Sequence, residues 1–160
     1  TVINGSGYAT NEADSKKDLG LRLNSTVADL GSLGKVIVGA LANFKGASSS
    51  NLTGTTKQVG LLAAWKLENG ALFGEYLRGT KINGLSLGGK YQLLPDIWAF
   101  VRTDTYDPDT TKASDDKKKS FYGLTYYWSK DLKLAADVQT AQTGSGTTTS
   151  IFYLHSLVVL

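Results

Sequence analysis

The sequence contains no cysteine and a single histidine. A disulfide framework, a thiolate metal site, a cysteine nucleophile and a multi-histidine metal site are therefore excluded. Proline occurs only twice, and charged residues make up 19% of the chain, against about 25% in an average soluble domain. The net charge of +3 is far from the footprint of a nucleic-acid binder. Long apolar runs are missing as well: the longest, residues 36–42, falls well short of the roughly 20 residues that cross a bilayer as a helix. Helical periodicity is almost absent. No basic-then-apolar leader opens the chain, which starts at Thr1 rather than Met, so a processed product or a fragment is expected. Its 160 residues suffice for one domain and are too few for two ordinary ones.

What the sequence does have is alternation. In 17–28, Leu19, Leu21, Leu23 and Val27 alternate with Asp18, Gly20, Arg22, Asn24 and Thr26. In 85–93, Leu85, Leu87, Tyr91 and Leu93 alternate with Ser86, Gly88, Lys90 and Gln92. In 131–142, Leu132, Leu134, Ala136 and Val138 alternate with Lys133, Ala135, Asp137 and Gln139. A period of two means strands with two unlike faces. The pattern recurs over 1–10, 17–29, 34–46, 56–68, 70–80, 85–93, 97–107, 119–129, 132–142 and 148–160. Asn69-Gly70 is a strong hairpin signal, and Pro95-Asp96 and Lys130-Asp131 mark similarly tight turns. Looser polar loops fall at 11–16, 46–55, 107–118 and 142–148, so tight turns collect at one end and long loops at the other. The expected fold is all-β: one antiparallel up-and-down transmembrane β-barrel over 1–160, with about ten strands, or the C-terminal part of a larger barrel.

Alternation alone leaves open which face meets water. A soluble ligand-binding barrel turns its apolar face inward, whereas a membrane barrel turns it toward lipid. Aromatic placement favours lipid. Trp65, Tyr91, Tyr126 and Trp128 precede tight turns, and Phe44, Tyr76, Tyr122 and Phe152 fall toward the loop ends. Two belts around an aliphatic band suit the two membrane interfaces. The opposite face combines Arg22, Lys35, Lys45, Lys66, Lys90, Arg102 and Lys133 with Asp18, Glu68, Glu75, Asp104 and Asp137. It also carries His155 and Gly20, Gly39, Gly60, Gly88 and Gly123, a composition that suits a crowded polar lumen. The apolar last segment, 151–160, is expected to be buried in a closed wall.

Residues 100–142 add a resemblance. Arg102, Asp104, Tyr106, Asp107 and Pro108 are followed by an acidic loop, then Gly123, Leu124, Tyr126 and Tyr127, a turn, and Leu132, Lys133 and Leu134. This resembles the C-terminal strands of bacterial outer-membrane porins, most closely the phosphate-selective porin O/P type. The resemblance implies passive passage of small solutes or ions across the bacterial outer membrane, with membrane lipid as surroundings and no nucleic-acid partner. Porins of that type are longer and end on an aromatic, where this chain has Leu160. A small relative, a homo-oligomer and a barrel completed by a missing N-terminal part of the same chain all stay open. So do a small closed barrel with a structural or adhesive role and a soluble ligand-binding barrel.

No cofactor, metal or enzymatic activity is expected. His155 and Asp137 face the same way and make half of a hydrolytic triad, yet Ser156 points to the other face and no Gly-x-Ser-x-Gly elbow exists. Asp104, Asp107, Asp109, Asp115 and Asp116 lack EF-hand spacing, and Lys112, Lys117, Lys118 and Lys119 neutralise them, so a solvated loop is the expectation. Asn51 and Thr53 match a glycosylation acceptor without meaning in an outer membrane. The near-balanced charges of the polar face fit either a salt-bridged plug or, through a small basic surplus, a weakly anion-preferring pore.

Overall fold

The computed structural model describes residues 2–4, 17–47, 56–129 and 132–158. They form a single antiparallel sheet of ten strands in which every strand pairs with its sequence neighbour. The strands are β1 (Val2–Asn4), β2 (Lys17–Asp29), β3 (Lys35–Ala47), β4 (Thr56–Leu67), β5 (Gly70–Gly79), β6 (Asn83–Leu94), β7 (Ile97–Asp107), β8 (Lys117–Tyr127), β9 (Leu132–Thr143) and β10 (Thr149–Val158). The all-β, up-and-down reading therefore holds. The sheet is open: among the described residues β10 pairs with β9 alone and β1 with β2 alone. The 5–10 part of the first expected strand, the 11–16 loop, Asn51 with most of its loop, and the Lys130-Asp131 turn lie outside the described residues.

Local chemistry explains the connections. Between β2 and β3 the chain makes one 3-10 turn, Gly31–Leu33. Gly31 and Gly34 both take positive φ there (61° and 96°), which side chains with a Cβ rarely adopt. The Trp65 indole N–H donates to the Leu33 carbonyl at 2.8 Å and ties this turn to β4. Glu68 and Asn69 form the two-residue β4–β5 turn, so Glu68, expected in the polar-face charge set, is a turn residue instead. Two strands begin earlier than the alternation indicates. β6 starts at Asn83, and β8 starts at Lys117 because Lys117, Lys118 and Lys119 pair with Tyr106, Thr105 and Asp104.

Cross-strand pairing sorts the side chains into two faces. Leu23, Ala40, Leu61, Tyr76 and Leu85 run across one face in register, and Asn24, Gly39, Leu62, Glu75, Ser86 and Asp104 run across the other. Exposure is inverted relative to a water-soluble domain. The apolar face is open, with Leu23 78%, Leu61 66% and Leu154 76% exposed, while Gln58 and Asp137 on the polar face are 5% exposed. No hydrophobic residue among those described is buried.

The polar face is the concave one. Arg22 on β2 reaches Glu75 on β5 at 3.9 Å, although three strand spacings separate their backbones by about 14 Å in a flat sheet. Glycines shape this inner surface. A Cβ on Gly88 would stand 2.5 Å from the Phe73 ring, and one on Gly123 would stand 2.6 Å from the Phe100 ring. Each ring thus lies flat on the glycine of the next strand. The outer ends of these two rings therefore rest against the neighbouring strand.

Candidate functional site

The polar face gathers the expected charged residues by strand parity. Arg22, Lys35, Lys66, Glu75, Lys90, Arg102, Asp104, Lys133, Asp137 and His155 all lie on it. Lys45 shares its register opposite Thr56, and Asp18 lies opposite Ile3 at the irregularity between Lys17 and Leu19, the side chains of both lying outside the described set. Each described carboxylate of this face has a basic partner, though the second oxygen of Asp137, Oδ1, is buried without one. Asp104 meets Arg102 at 2.7 Å, Glu75 meets Arg22, and Asp137 is hydrogen-bonded to His155 at 2.6 Å. Tyr153 stacks on the His155 ring. Ser156 lies on the opposite face, paired with Leu134, so it is not beside the His155–Asp137 pair. Asp29, at the turn, takes up Lys35 at 3.0 Å.

The bases toward the tight-turn end are held differently. Lys90 lies over the Trp98 ring at 5.2 Å and Lys133 over the Tyr127 ring at 5.0 Å. Cation–π contact retains a positive charge without neutralising it. Lys66 is exposed, and among the described residues no carboxylate pairs with Lys66, Lys90 or Lys133. The uncompensated charge on this face is therefore positive: Lys66, Lys90 and Lys133 lie toward the tight turns, and Lys117 and Lys119 toward the loops.

The sequence reading missed the apolar part of this face. Leu41, Leu62, Phe73, Leu77, Trp98, Phe100, Phe121 and Tyr127 share it with the charges. The available signal was parity itself: these residues stand at the same alternate positions as Arg102 or Glu75. The 107–118 loop is a local hydrogen-bonded structure. Asp107 caps the Asp109 N–H, and Asp109 accepts from the Thr111 hydroxyl and N–H. Those bonds from Thr111, with Lys112 adding a smaller effect, hold the Asp109 carboxyl below its ordinary value. Among the described residues no acidic or histidine cluster is arranged to hold a metal.

Seven of the eight expected belt aromatics lie on the apolar face; Trp128 follows the end of β8 and meets the Tyr126 ring edge-on at 6.0 Å. Their heights reveal a feature that the sequence alone does not contain. One hydrogen-bond row runs Val36–Trp65–Leu72–Gly89–Val101–Tyr122–Val138–Phe152. It leaves β4 at the tight-turn end and reaches β10 near the loop end. Measured from this row, Trp65 is at zero, Tyr91 two residues toward the tight turns and Tyr126 four. On the other side Phe44 is eight residues toward the loops, Tyr76 four, and Tyr122 and Phe152 zero. The tight-turn belt slides by one residue per strand, and the loop-side belt, steeper from β3 to β5 and level from β8 to β10, by about one on average, in the same direction. This corrects the position of Tyr122, which is the middle residue of β8 instead of lying near its loop end. It still marks the boundary of the apolar band, because the next row toward the loops is Thr103–Ser120–Thr140–Ser150.

Comparison with family models, with curated proteins and with solved structures found no match. The porin resemblance therefore rests on residues 100–142 themselves.

The two faces make opposite demands on substitution. Leu134 lies within the apolar band between Tyr126 and Ser156, and Lys133 on the other face. In lipid, Leu134→Arg, at the depth of the Tyr126 belt, is expected to cost up to about 1 kcal/mol of folding stability, and Lys133→Ala to leave it nearly intact. Urea titration of the two variants in bilayers checks this; equal losses, or the reverse order, would mean that the faces are inverted.

Proposed function

We propose that this chain forms a ten-stranded transmembrane barrel of a bacterial outer membrane that lets small solutes or ions diffuse through its polar interior, with a weak preference for anions. The observation that carries the proposal is the obliquity of the apolar band. One residue of rise per strand, about 3.3 Å, against a strand spacing of about 4.8 Å, gives a tilt of about 35° between the strands and the normal to the band. Membrane barrels tilt their strands by roughly 35–45°. On β4 the outward residues Val59 to Leu67 span about 27 Å along the strand, or about 22 Å once tilted, close to the roughly 25 Å apolar belt of such barrels; on β8 the belt residues Tyr122 and Tyr126 stand closer, about 14 Å apart along the strand. A soluble sheet has no reason to draw a level band across tilted strands.

The same arithmetic supports a closing register. A band that slides by about one residue per strand meets itself after ten strands with a total shear of about ten to twelve residues. β1 is already fixed to β2 with Val2 opposite Leu19. That shear then puts Val2 opposite Leu154 or Ser156 of β10. The sequence has no cysteine, so Val2→Cys combined with Leu154→Cys or Ser156→Cys gives a clean test. An intramolecular disulfide is expected from one of these two pairs and not from Val2→Cys with Ser150→Cys. Cross-links only between chains would show that a second copy, and not β1, meets the β10 edge.

The anion preference follows from the uncompensated Lys66, Lys90 and Lys133. Low-dielectric walls focus the field of a small surplus. In planar bilayers, discrete conductance steps with weak anion selectivity are expected. Selectivity should fade toward 1 M salt, where the Debye length falls to about 3 Å. Reversal potentials should shift toward cations on Arg102→Glu with Lys90→Glu. Cation selectivity in the parent chain contradicts the preference. A second reading, a closed barrel with a structural role, is favoured by the leucines and aromatics on the concave face; a folded barrel that stays electrically silent supports it over the first.

A further inference from the structure

The apolar face is not uniform. On β3 its residues are small at Ala40 and Ala42, while Leu21 and Leu23 on β2 and Val59 and Leu61 on β4 stand on either side. The outcome is a trough of about 560 Å³ that follows the strand direction. It continues toward the middle of the band past Ser25, Val38 and Ala63 into a second hollow of about 710 Å³, which shares Leu23, Ala40, Leu61 and Tyr76. Its floor offers a ligand almost no hydrogen-bonding group, because the backbone below is paired in the ladders of β2, β3 and β4.

At the loop end the trough stops at Arg78. Register fixes this residue on the apolar face, between Val59 and Asn83. It is exposed, and none of the described carboxylates pairs with it. Tyr76 precedes it on the same face and closes the apolar band on β5. Arg78 is thus an unneutralised guanidinium at the depth where the face turns from apolar to polar, at the head of an alkyl-lined trough. Lys81, exposed in the next turn, adds positive charge on the same side. The hollow on β7–β10, of about 520 Å³ around Ile97, Leu124, Tyr126, Leu134 and Leu154, has no such cation. A general lipid-facing surface accounts for that hollow. It does not account for an arginine placed at the end of the other.

We infer that the trough and Arg78 together seat one phosphorylated lipid of the loop-side leaflet, its acyl chain lying along Ala40 and Ala42 and its phosphate held by the guanidinium. The inference rests on the membrane-barrel reading. A planar guanidinium binds phosphate oxygens with two parallel hydrogen bonds, and a lipid supplies the phosphate at headgroup depth with a saturated chain beneath it. A protein partner would have to give up backbone hydrogen bonding against an alkyl floor, and free phosphate would leave the trough unused.

Native mass spectrometry of the full chain, released from mixed micelles, provides the test. The probes are dimyristoyl phosphatidic acid, dimyristoylglycerol with the same chains and no phosphate, and inorganic phosphate. The parent chain is expected to retain one phosphatidic acid. Retention should fall about tenfold in Arg78→Gln, the loss expected for a charge-assisted pair. Ala42→Trp, which fills the trough and spares the guanidinium, should lower it comparably, and Lys118→Gln should leave it unchanged. Equal retention of dimyristoylglycerol, or no change in Arg78→Gln, overturns the phosphate contact. Displacement by inorganic phosphate at low millimolar concentration, or no effect of Ala42→Trp, overturns the role of the trough. Failure of the parent chain to fold in lipid at all, read by its gel mobility with and without heating, removes the barrel reading itself and is distinct from these results.

Discussion

Hydrogen bonding between neighbouring strands carries this structure. A buried apolar core ordinarily supplies most of the drive to fold. Here no described hydrophobic residue is buried, and each strand is held by ladders to the strands beside it. Such ladders gain little in water, where unpaired peptide groups are hydrated. They become decisive in a medium without water, where each unpaired group costs several kcal/mol. The inverted exposure and the ladder-only cohesion thus ask for the same surroundings. Leu23, Leu61 and Leu154 are open on one side of the sheet, the side that the proposed barrel turns to lipid.

The concave side follows from the same constraint. Closing a sheet of ten strands leaves a narrow interior, in which upright side chains would meet across the axis. Glycine at positions 88 and 123 lets Phe73 and Phe100 lie flat, which thins the wall where the strands are most crowded. Carboxylates that would be costly to bury alone are paired with Arg22, Arg102 and His155. Lysines over Trp98 and Tyr127 keep their charge while resting on an aromatic face. In the proposed barrel, wall, lumen charge and lipid seat all follow from which alternate residue faces which side.

Parity was legible in the sequence because it is local. Trp65, Tyr91 and Tyr126 declare their face by position relative to Leu61, Leu87 and Leu124, and the Asn69-Gly70 turn announces its hairpin. The relative heights of neighbouring strands were not legible. Register depends on pairings distant in sequence, and β8 begins at Lys117 only because its lysines find Tyr106, Thr105 and Asp104. The oblique band and the true height of Tyr122 therefore emerge only from the pairings. The seats of Phe73 and Phe100 were hidden for a similar reason: the glycine under each ring belongs to the next strand. Arg78 was readable as a basic residue, but not as a cation at the head of a trough, since the trough is made by three other strands.

Strand tilt in a bilayer tests the central claim most directly. Polarised infrared spectroscopy of the protein in oriented lipid films reports the angle between the strands and the membrane normal through the dichroism of the amide bands. A tilted transmembrane barrel with the observed slide of one residue per strand predicts an angle of about 35°. Strands lying parallel to the film, or an isotropic signal from protein that does not enter the bilayer, would contradict it.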